Sequence, residues 1–131
     1  MTDWQQPFMV LFTQSEGVSI IHETVFENRL GYSDFLNKMG ANITLTSACL
    51  GEVDCRFKER NFIHSAIVQG PTPLSGCEME LPTDIRAGKC LVIAGLVAQG
   101  QTILHNVQEL DRKFGNITKK LEGLGANIKL H

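Results

Sequence analysis

The apolar positions along this chain switch repeatedly between helical and strand-like spacing. Residues 3–16 carry Phe8, Leu11 and Phe12 on one helical face, and a glycine follows them as a stop signal. The next residues, 18–25, are rich in β-branched side chains and predict a strand. The pattern therefore begins with a helix that leads directly into a strand.

The start of the first helix carries two conflicting signals. Thr2 or Asp3 could accept hydrogen bonds from the amide groups of the first turn and so cap the helix. Pro7 lacks an amide hydrogen and is tolerated only near a first turn. We therefore expect a strained or displaced helix start.

The remaining elements follow the same alternation. The predicted elements are a short helix over 33–39 capped by Ser33, strands over 41–46 and 65–69, a helix over 84–98, a strand over 101–107, a helix over 111–124 and a last strand over 127–130. In the helix over 111–124, we expect Phe114, Ile117, Leu121 and Leu124 to point inward. The segment 47–80 predicts one or two strands with a long hairpin excursion.

Several landmarks of the first half recur in the second half at a nearly constant offset. The pairs are Thr2-Asp3 with Thr83-Asp84, Gly17 with Gly100, Asn28-Arg29 with Asp111-Arg112, and residues 40–43 with 125–128. They predict one domain over 1–131 that contains two copies of a supersecondary unit, about 1–70 and 71–131. The expected fold class is α/β (α+β), with helices packed on mixed sheets.

The repeat also pairs an acidic residue at a helix start with a basic residue after a strand, twice over. The two pairs are Asp3 with Arg29 and Asp84 with Arg112. An aspartate at a helix start most often only caps the helix, and an arginine after a strand is most often solvated or ion-paired. The residues alone therefore predict Asp/Arg pairs and leave their chemistry open.

Composition excludes several classes of protein. Of the 131 residues, 43% are hydrophobic and 20% are charged, and the net charge of −2 favours neither nucleic acid nor an anionic membrane. No apolar run approaches the ~20 residues that span a bilayer, and the first residues do not resemble a signal peptide. We therefore expect no nucleic-acid partner, no membrane and a cytoplasmic location.

The cysteines and histidines do not match a sequence signature for a metal site. The four cysteines form no Cys-x-x-Cys pair, and no histidine follows them at zinc-ligand spacing. We expect reduced thiols, no metal and no cofactor, with His22, His64, His105 and His131 as surface or strand residues.

Seven segments in order carry a family resemblance, and it covers nearly the whole chain except about 47–75. The segments are 2–8, 23–29, 39–43, 82–87, 92–100, 110–112 and 124–128. They resemble the UDP-N-acetylglucosamine 1-carboxyvinyltransferases, the enolpyruvyl transferases that begin peptidoglycan synthesis. That resemblance implies two similar domains of three βαβαββ units each, of which this chain resembles the last two units.

The resemblance implies roles for individual residues. Asp3 would contact the sugar 3-hydroxyl and take its proton. The backbone of Val25 would contact the UDP-sugar, and Phe26, Asn28 and Arg29 would line the same strand end. Asp84, Ile85 and Arg86 would lie on the phosphoenolpyruvate side, where Arg112 would bind the carboxylate or phosphate. UDP-N-acetylglucosamine and phosphoenolpyruvate are the implied partners.

The chain also departs from the family pattern. The family's proton-donating cysteine loop and the other groups that hold phosphoenolpyruvate belong to the part that is not represented here. Gln6 and Pro7 replace the usual Ala-Gln, while Lys113 and Phe114 replace a glycine and a tyrosine. Two interpretations follow: a fragment or truncated homologue that is inactive alone, or a non-catalytic binding or regulatory module that could form a homodimer. A third is an active two-chain enzyme whose other domain is a separate polypeptide.

Overall fold

The computed structural model describes residues 2–130. Its elements, in chain order, are a 3-10 turn Thr2–Trp4, α1 Gln5–Gln14, β1 Gly17–His22, α2 Ser33–Lys38, β2 Asn42–Thr46, β3 Ser65–Gly70, β4 Glu78–Glu80, α3 Ile85–Val97, β5 Ile103–His105, α4 Gln108–Lys113 and α5 Ile117–Gly123. Helices and strands alternate through most of the chain, as the apolar pattern predicts. No helix within 2–130 combines the length and apolar character that a bilayer span needs.

The strands form two separate sheets. One has the order β1-β3-β2, and β3 is antiparallel to both of its neighbours. The other pairs β4 with β5 in parallel, and α3 connects the two strands. The predicted α/β (α+β) fold class is thus confirmed, with one antiparallel sheet and one parallel pair of strands.

The hydrophobic core joins the two halves of the chain. On one side it contains Met9 and Val10 of α1, and on the other Cys90, Leu91 and Ala94 of α3, all buried. Gly88 allows α4 to pack closely against α3, because a Cβ added at this position would lie 3.2 Å from a methyl group of Leu110. The core therefore fixes α1 against α3.

Helix α1 buries a different face from the one that hydrophobicity predicts. Phe8 and Leu11 are exposed, although they share an apolar face with Phe12. Five residues of α1 are buried, and three of them, Gln5, Gln6 and Thr13, are polar; the other two are Met9 and Val10. The apolar face at Phe8 and Leu11 remains on the surface.

The helix starts partly follow the predictions. Asp84 caps α3, because its side chain accepts a hydrogen bond of 3.0 Å from the backbone N–H of Arg86. The α1 start is displaced to Gln5, with Pro7 in the first turn as expected. Thr2 and Asp3 do not cap α1, and Ser33 does not cap α2 but donates to the carbonyl of Leu30.

The C-terminal region differs most from the prediction. The helix expected over 111–124 is divided into α4 and α5 by Gly115 and Asn116, which both adopt positive φ angles. Leu124 is 85% exposed rather than inward. Residues 127–130 do not form the expected strand. A break at a glycine and an asparagine is physically reasonable, since these residues tolerate the left-handed region best.

Candidate active site at the Asp3 carboxylate

Asp3 lies on the 3-10 turn before α1, close to the start of α3. Its Oδ1 accepts hydrogen bonds from Arg86 Nε at 2.8 Å and from Arg29 Nη2 at 3.1 Å. The hydrogen bond from Arg86, reinforced by the charge of both guanidinium groups, holds the pKa of Asp3 below its usual value. The side chain is still 63% exposed, so an ionised carboxylate is presented to solvent.

Arg29 is held by three neighbours. Its side chain is only 9% exposed, and its guanidinium lies 4.5 Å from the centroid of the Phe26 ring. Its Nη1 also donates to Thr2 Oγ1 at 2.6 Å. A stacked and hydrogen-bonded arginine loses little further freedom when it binds an anion or orients a carboxylate.

Glu23 organises the strand end beside this pair. Its carboxylate, on a residue only 2% exposed, accepts hydrogen bonds from Thr2 Oγ1, from Gln5 Nε2 and from the backbone N–H groups of Val25 and Phe26. Thr2 in turn accepts from Arg29, so the buried carboxylate positions the arginine indirectly. The chain leaves the strand after His22 because Glu23 satisfies the next backbone amides.

The start of α3 places two further cations, Arg86 and Lys89, near Asp3. Arg86 lies in the first turn of α3, and its side chain is 44% exposed. Lys89, one turn later, donates to the backbone carbonyl of Asp3 at 3.4 Å. The i, i+3 spacing puts Arg86 and Lys89 on one helical face, and both side chains reach Asp3 from that face.

A cleft of about 580 Å³ adjoins this group. The residues that line it are Thr2, Trp4, Gln5, Phe8, Phe12, Ile21, His22, Glu23, Thr24 and Val25. The N–H of Val25 already donates to Glu23, while its carbonyl accepts from Arg56 Nη1 at 3.3 Å. A carbonyl oxygen has two lone pairs, so the carbonyl of Val25 retains capacity for a ligand donor.

The other predicted site residues differ in their placement. Asn28 has a positive φ of 49°, and its side chain accepts from the N–H of Ile63, so it fastens the loop before β3. Ile85 is half-buried at the start of α3. Arg112 lies within α4 and pairs with Glu109 at 3.4 Å, not after a strand and not with Asp84. The prediction that Asp84 pairs with Arg112 is therefore wrong. The second cation that contacts Asp3 is Arg86.

Two residues of this group were missed by the sequence analysis. Glu23 follows a run of β-branched residues, and the sequence does not determine which face of the strand its side chain occupies. Its role becomes visible only from its burial in the structure. Lys89 could have been predicted from the sequence, because it follows Arg86 by three residues and therefore lies on the same face of the predicted helix.

A second polar cluster lies at one end of the antiparallel sheet. It contains His22, Cys49, Cys55 and His64, whose potential ligand atoms all lie within 4.8 Å of one another. Burial lowers the pKa of His22, and the Cys55 backbone lowers the pKa of the Cys49 thiol. These four residues, which are far apart in the sequence, thus meet in space, while His131 lies outside the described residues.

Comparison with known proteins places these features in a family. Residues 1–121 match the family model of EPSP synthase (3-phosphoshikimate 1-carboxyvinyltransferase). A protein of Protochlamydia amoebophila (strain UWE25) named UDP-N-acetylglucosamine 1-carboxyvinyltransferase is 50% identical over 130 residues, which cover 99% of this chain and 28% of that relative. The protein of the same name from Chlamydia abortus is 51% identical over 131 residues, which cover 99% and 29%.

Solved structures agree with the sequence relatives. The enolpyruvyl transferase NikO from Streptomyces tendae superposes with a TM-score of 0.75 at 28% identity, covering 98% of this chain and 26% of that chain. An EPSP synthase from Acinetobacter baumannii superposes with a TM-score of 0.68 at 25% identity, covering 93% and 27%. The chain spans a little over a quarter of the length of these proteins. It belongs to the enolpyruvyl transferase family that the EPSP synthase (3-phosphoshikimate 1-carboxyvinyltransferase) model describes.

Proposed function

We propose that this chain forms one wall of the active site of a transferase that moves an enolpyruvyl group from phosphoenolpyruvate to the 3-hydroxyl of UDP-N-acetylglucosamine, in peptidoglycan synthesis. The observation that carries the proposal is the exposed Asp3 carboxylate between Arg29 and Arg86. The name shared by the chlamydial relatives supports the acceptor sugar. A cytoplasmic location remains a prediction.

Asp3 is suited to accept the proton of a hydroxyl group. Its lowered pKa keeps it ionised at neutral pH, so it accepts a hydrogen bond from the sugar hydroxyl in the ground state. As the hydroxyl oxygen bonds to C2 of the donor, the hydroxyl becomes strongly acidic and its proton passes to Asp3. As the new bond forms, the C2=C3 double bond of the donor breaks and C3 takes a proton from an acid; in a later step C3 loses a proton, the bond from C2 to phosphate breaks and the vinyl ether double bond is restored.

Arg86 is suited to hold the donor's charge. It uses Nε for Asp3, and within residues 2–130 its two Nη atoms have no hydrogen-bond partner. A planar guanidinium with two donors on one side matches the oxygens of a carboxylate or phosphate. Arg86 can therefore orient Asp3 and contact an anion at the same time.

We further propose that the chain is inactive alone. It spans about 28% of its relatives' length, and the resemblance assigns the acid that protonates C3 of the donor, with most of the phosphate-binding groups, to the remainder. Transfer requires acid, base and anion-binding groups to converge on the two substrates. No part of the described site supplies that acid.

The test measures phosphate release from phosphoenolpyruvate in the presence of UDP-N-acetylglucosamine. The chain alone should show no release above background. Mixed with a separately produced remainder of the Protochlamydia relative, it should restore release, and Asp3→Asn should reduce the restored rate by about 10²- to 10⁴-fold. Release from the chain alone would contradict inactivity, and an unaffected Asp3→Asn would contradict the role of Asp3.

Asp54→Asn is the matched control. Asp54 is also exposed and also ion-paired, to Lys58 at 2.6 Å. The substitution removes the same charge from a residue outside the proposed site. Restored release should therefore stay close to the unsubstituted rate in this variant.

A second candidate function is a non-catalytic binding module that pairs with another copy of itself. The observation behind it is the exposed apolar row of Trp4, Phe8 and Leu11 along α1. Rows of this kind often mark an interface. In the transferase proposal, the same row would pack against the remainder of the enzyme.

Light scattering across a concentration series distinguishes these alternatives. A homodimer should have twice the monomer mass at micromolar concentration and should dissociate in Leu11→Glu. A monomer that gains affinity for the remainder of the relative, and loses that affinity in Leu11→Glu, would support the transferase proposal instead.

A further inference from the structure

The topology of the antiparallel sheet brings three chain segments together at one end. His22 is the last residue of β1 and Thr46 is the last residue of β2, and both are paired with Ser65, the first residue of β3. His64 immediately precedes Ser65, and Cys49 follows Thr46 by three residues. Residues far apart in the sequence therefore meet at this sheet end.

The distances within the cluster suit a tetrahedral metal site. The Sγ atoms of Cys49 and Cys55 are 3.4 Å apart, and Cys49 Sγ is 3.6 Å from His22 Nε2. Ideal Zn–S and Zn–N bonds at the tetrahedral angle separate two sulfurs by about 3.8 Å and a sulfur and a nitrogen by about 3.6 Å. The two measured separations differ from these values by a few tenths of an ångström, and the remaining donor pairs lie within 4.8 Å of one another, so movements of about an ångström would bring all four donors to ligation distance.

His64 provides an independent indication that a ligand is bound here. The residue is fully buried, and its Nε2 is a buried atom without a hydrogen-bond partner within the described residues. Its other ring nitrogen, Nδ1, lies 2.7 Å from the carbonyl oxygen of Phe62. A proton on Nδ1 donated to that carbonyl leaves Nε2 as a lone-pair donor, which is the arrangement that orients metal-bound histidines.

The backbone around the cluster leaves room for His22. A Cβ added at Gly51 would lie 2.8 Å from His22 Cε1 and would also collide with Nδ1. A side chain at position 51 would therefore displace the imidazole from Cys49. Glycine at this position allows the loop to fold closely over the ring.

We propose that His22, Cys49, Cys55 and His64 form a zinc site. Two thiolates and two imidazoles favour zinc among the common divalent metals, and four protein ligands leave no open position for chemistry. The site is therefore structural. It fastens the loop 47–64, whose one fully buried apolar side chain is Phe57, to the ends of β1, β2 and β3.

The first experiment is alkylation footprinting of the reduced full chain, after treatment with a chelator, with and without one equivalent of zinc. Peptide mass spectrometry reads the four cysteines separately. Zinc should slow iodoacetamide labelling of Cys49 and Cys55 by about tenfold or more, since a coordinated thiolate is no longer a free nucleophile. Cys77, half-buried and outside the cluster, should be labelled at an unchanged rate.

Cobalt absorption gives a second measurement. The reduced chain should bind one Co²⁺ with the intense visible bands of a tetrahedral thiolate site, and zinc should displace it. Cys49→Ser and His64→Asn should lose these bands, and Cys77→Ser should keep them, with circular dichroism to confirm folding. The wild-type footprint remains decisive if a variant does not fold.

Two results would overturn the proposal. One is labelling of Cys49 and Cys55 that zinc leaves unchanged in the reduced protein. The other is a Cys49–Cys55 disulfide that survives reduction and excludes both metals, which would make the cluster a covalent link instead.

Discussion

The side chains of Asp3 and Arg86 are 83 positions apart in the sequence and are joined by a hydrogen bond of 2.8 Å. Asp3 lies on the turn before α1, and Arg86 lies in the first turn of α3. The packing of α1 against α3 brings these two helix starts together. The interaction therefore depends on the relative placement of α1 and α3.

The Asp3 pair should make stability depend on pH in the acid range. The pKa of Asp3 is lowered in the folded chain, so its contribution is present above the unfolded pKa of about 3.9 and is lost as the pH falls through the folded value. Urea unfolding should show Asp3→Asn less stable than wild type at neutral pH, with the difference shrinking as the pH falls through the lowered pKa of folded Asp3. Asp34→Asn, which removes a carboxylate that makes no ion pair within residues 2–130, is the control. A pH-independent difference would contradict the linkage.

Replacing Glu23 should damage both stability and the Arg29 geometry. Glu23→Ala leaves four donors without their buried acceptor and should lower the free energy of unfolding by about 3 kcal/mol. Glu27→Ala removes an exposed carboxylate paired with Arg56 and should change it by less than about 0.5 kcal/mol. Chemical denaturation of both variants provides the comparison. Equal losses would show that Glu23 does not organise the strand end.

Neighbouring glutamines in α1 should respond in opposite directions to the same substitution. Gln6 is fully buried, and neither polar atom of its side chain has a partner within the described residues, so Gln6→Met should stabilise the chain by about 1 kcal/mol. The Gln5 amide donates to Glu23 and accepts from Tyr32, so Gln5→Met should destabilise it by about 2 kcal/mol. Thermal unfolding of the pair is the measurement. A loss of stability in Gln6→Met would indicate that its amide has a partner after all.

Gly70 should not tolerate even one methyl group. A Cβ there would lie 2.6 Å from the carbonyl oxygen of Phe12 and would also collide with that of Ser15. Gly70→Ala should therefore cost about 3 kcal/mol, because the end of α1 must move away from β3. At Gly31 an added Cβ meets no atom within 4 Å, so Gly31→Ala should be nearly neutral. Similar midpoints in urea for both variants would contradict the close approach.

The sequence predicts the helices and strands better than it predicts their contacts. The strand over 41–46, the strand over 65–69 and the helix over 84–98 agree with β2, β3 and α3 within two residues. Their periodicity is strong, and Asp84 marks a real helix start. Where packing and not periodicity decides, as for the buried face of α1, the prediction fails because Gln5 and Gln6 are buried by their neighbours.

Some residues of the candidate site could likewise be predicted from the sequence, and others could not. The pair of Asp3 and Arg29 could be predicted because the repeat and the family resemblance both indicate it. The position of Arg112 could not, because α4 begins at Gln108, three residues before the predicted start, and its exposed arginine pairs with Glu109 of the same helix. The Cys/His cluster depends on which strand ends are adjacent, and no local spacing along the chain encodes that.

The central position of β3 has a consequence for synthesis. β1 and β2 are made first, but they are not neighbours in the sheet, and each forms its ladder only with β3. Neither strand can complete its pairing until Gly70 has emerged from the ribosome. Throughout that interval the nascent chain carries two unpaired strands, and the apolar Val18 and Ile20 of β1 add to the surface through which it could aggregate.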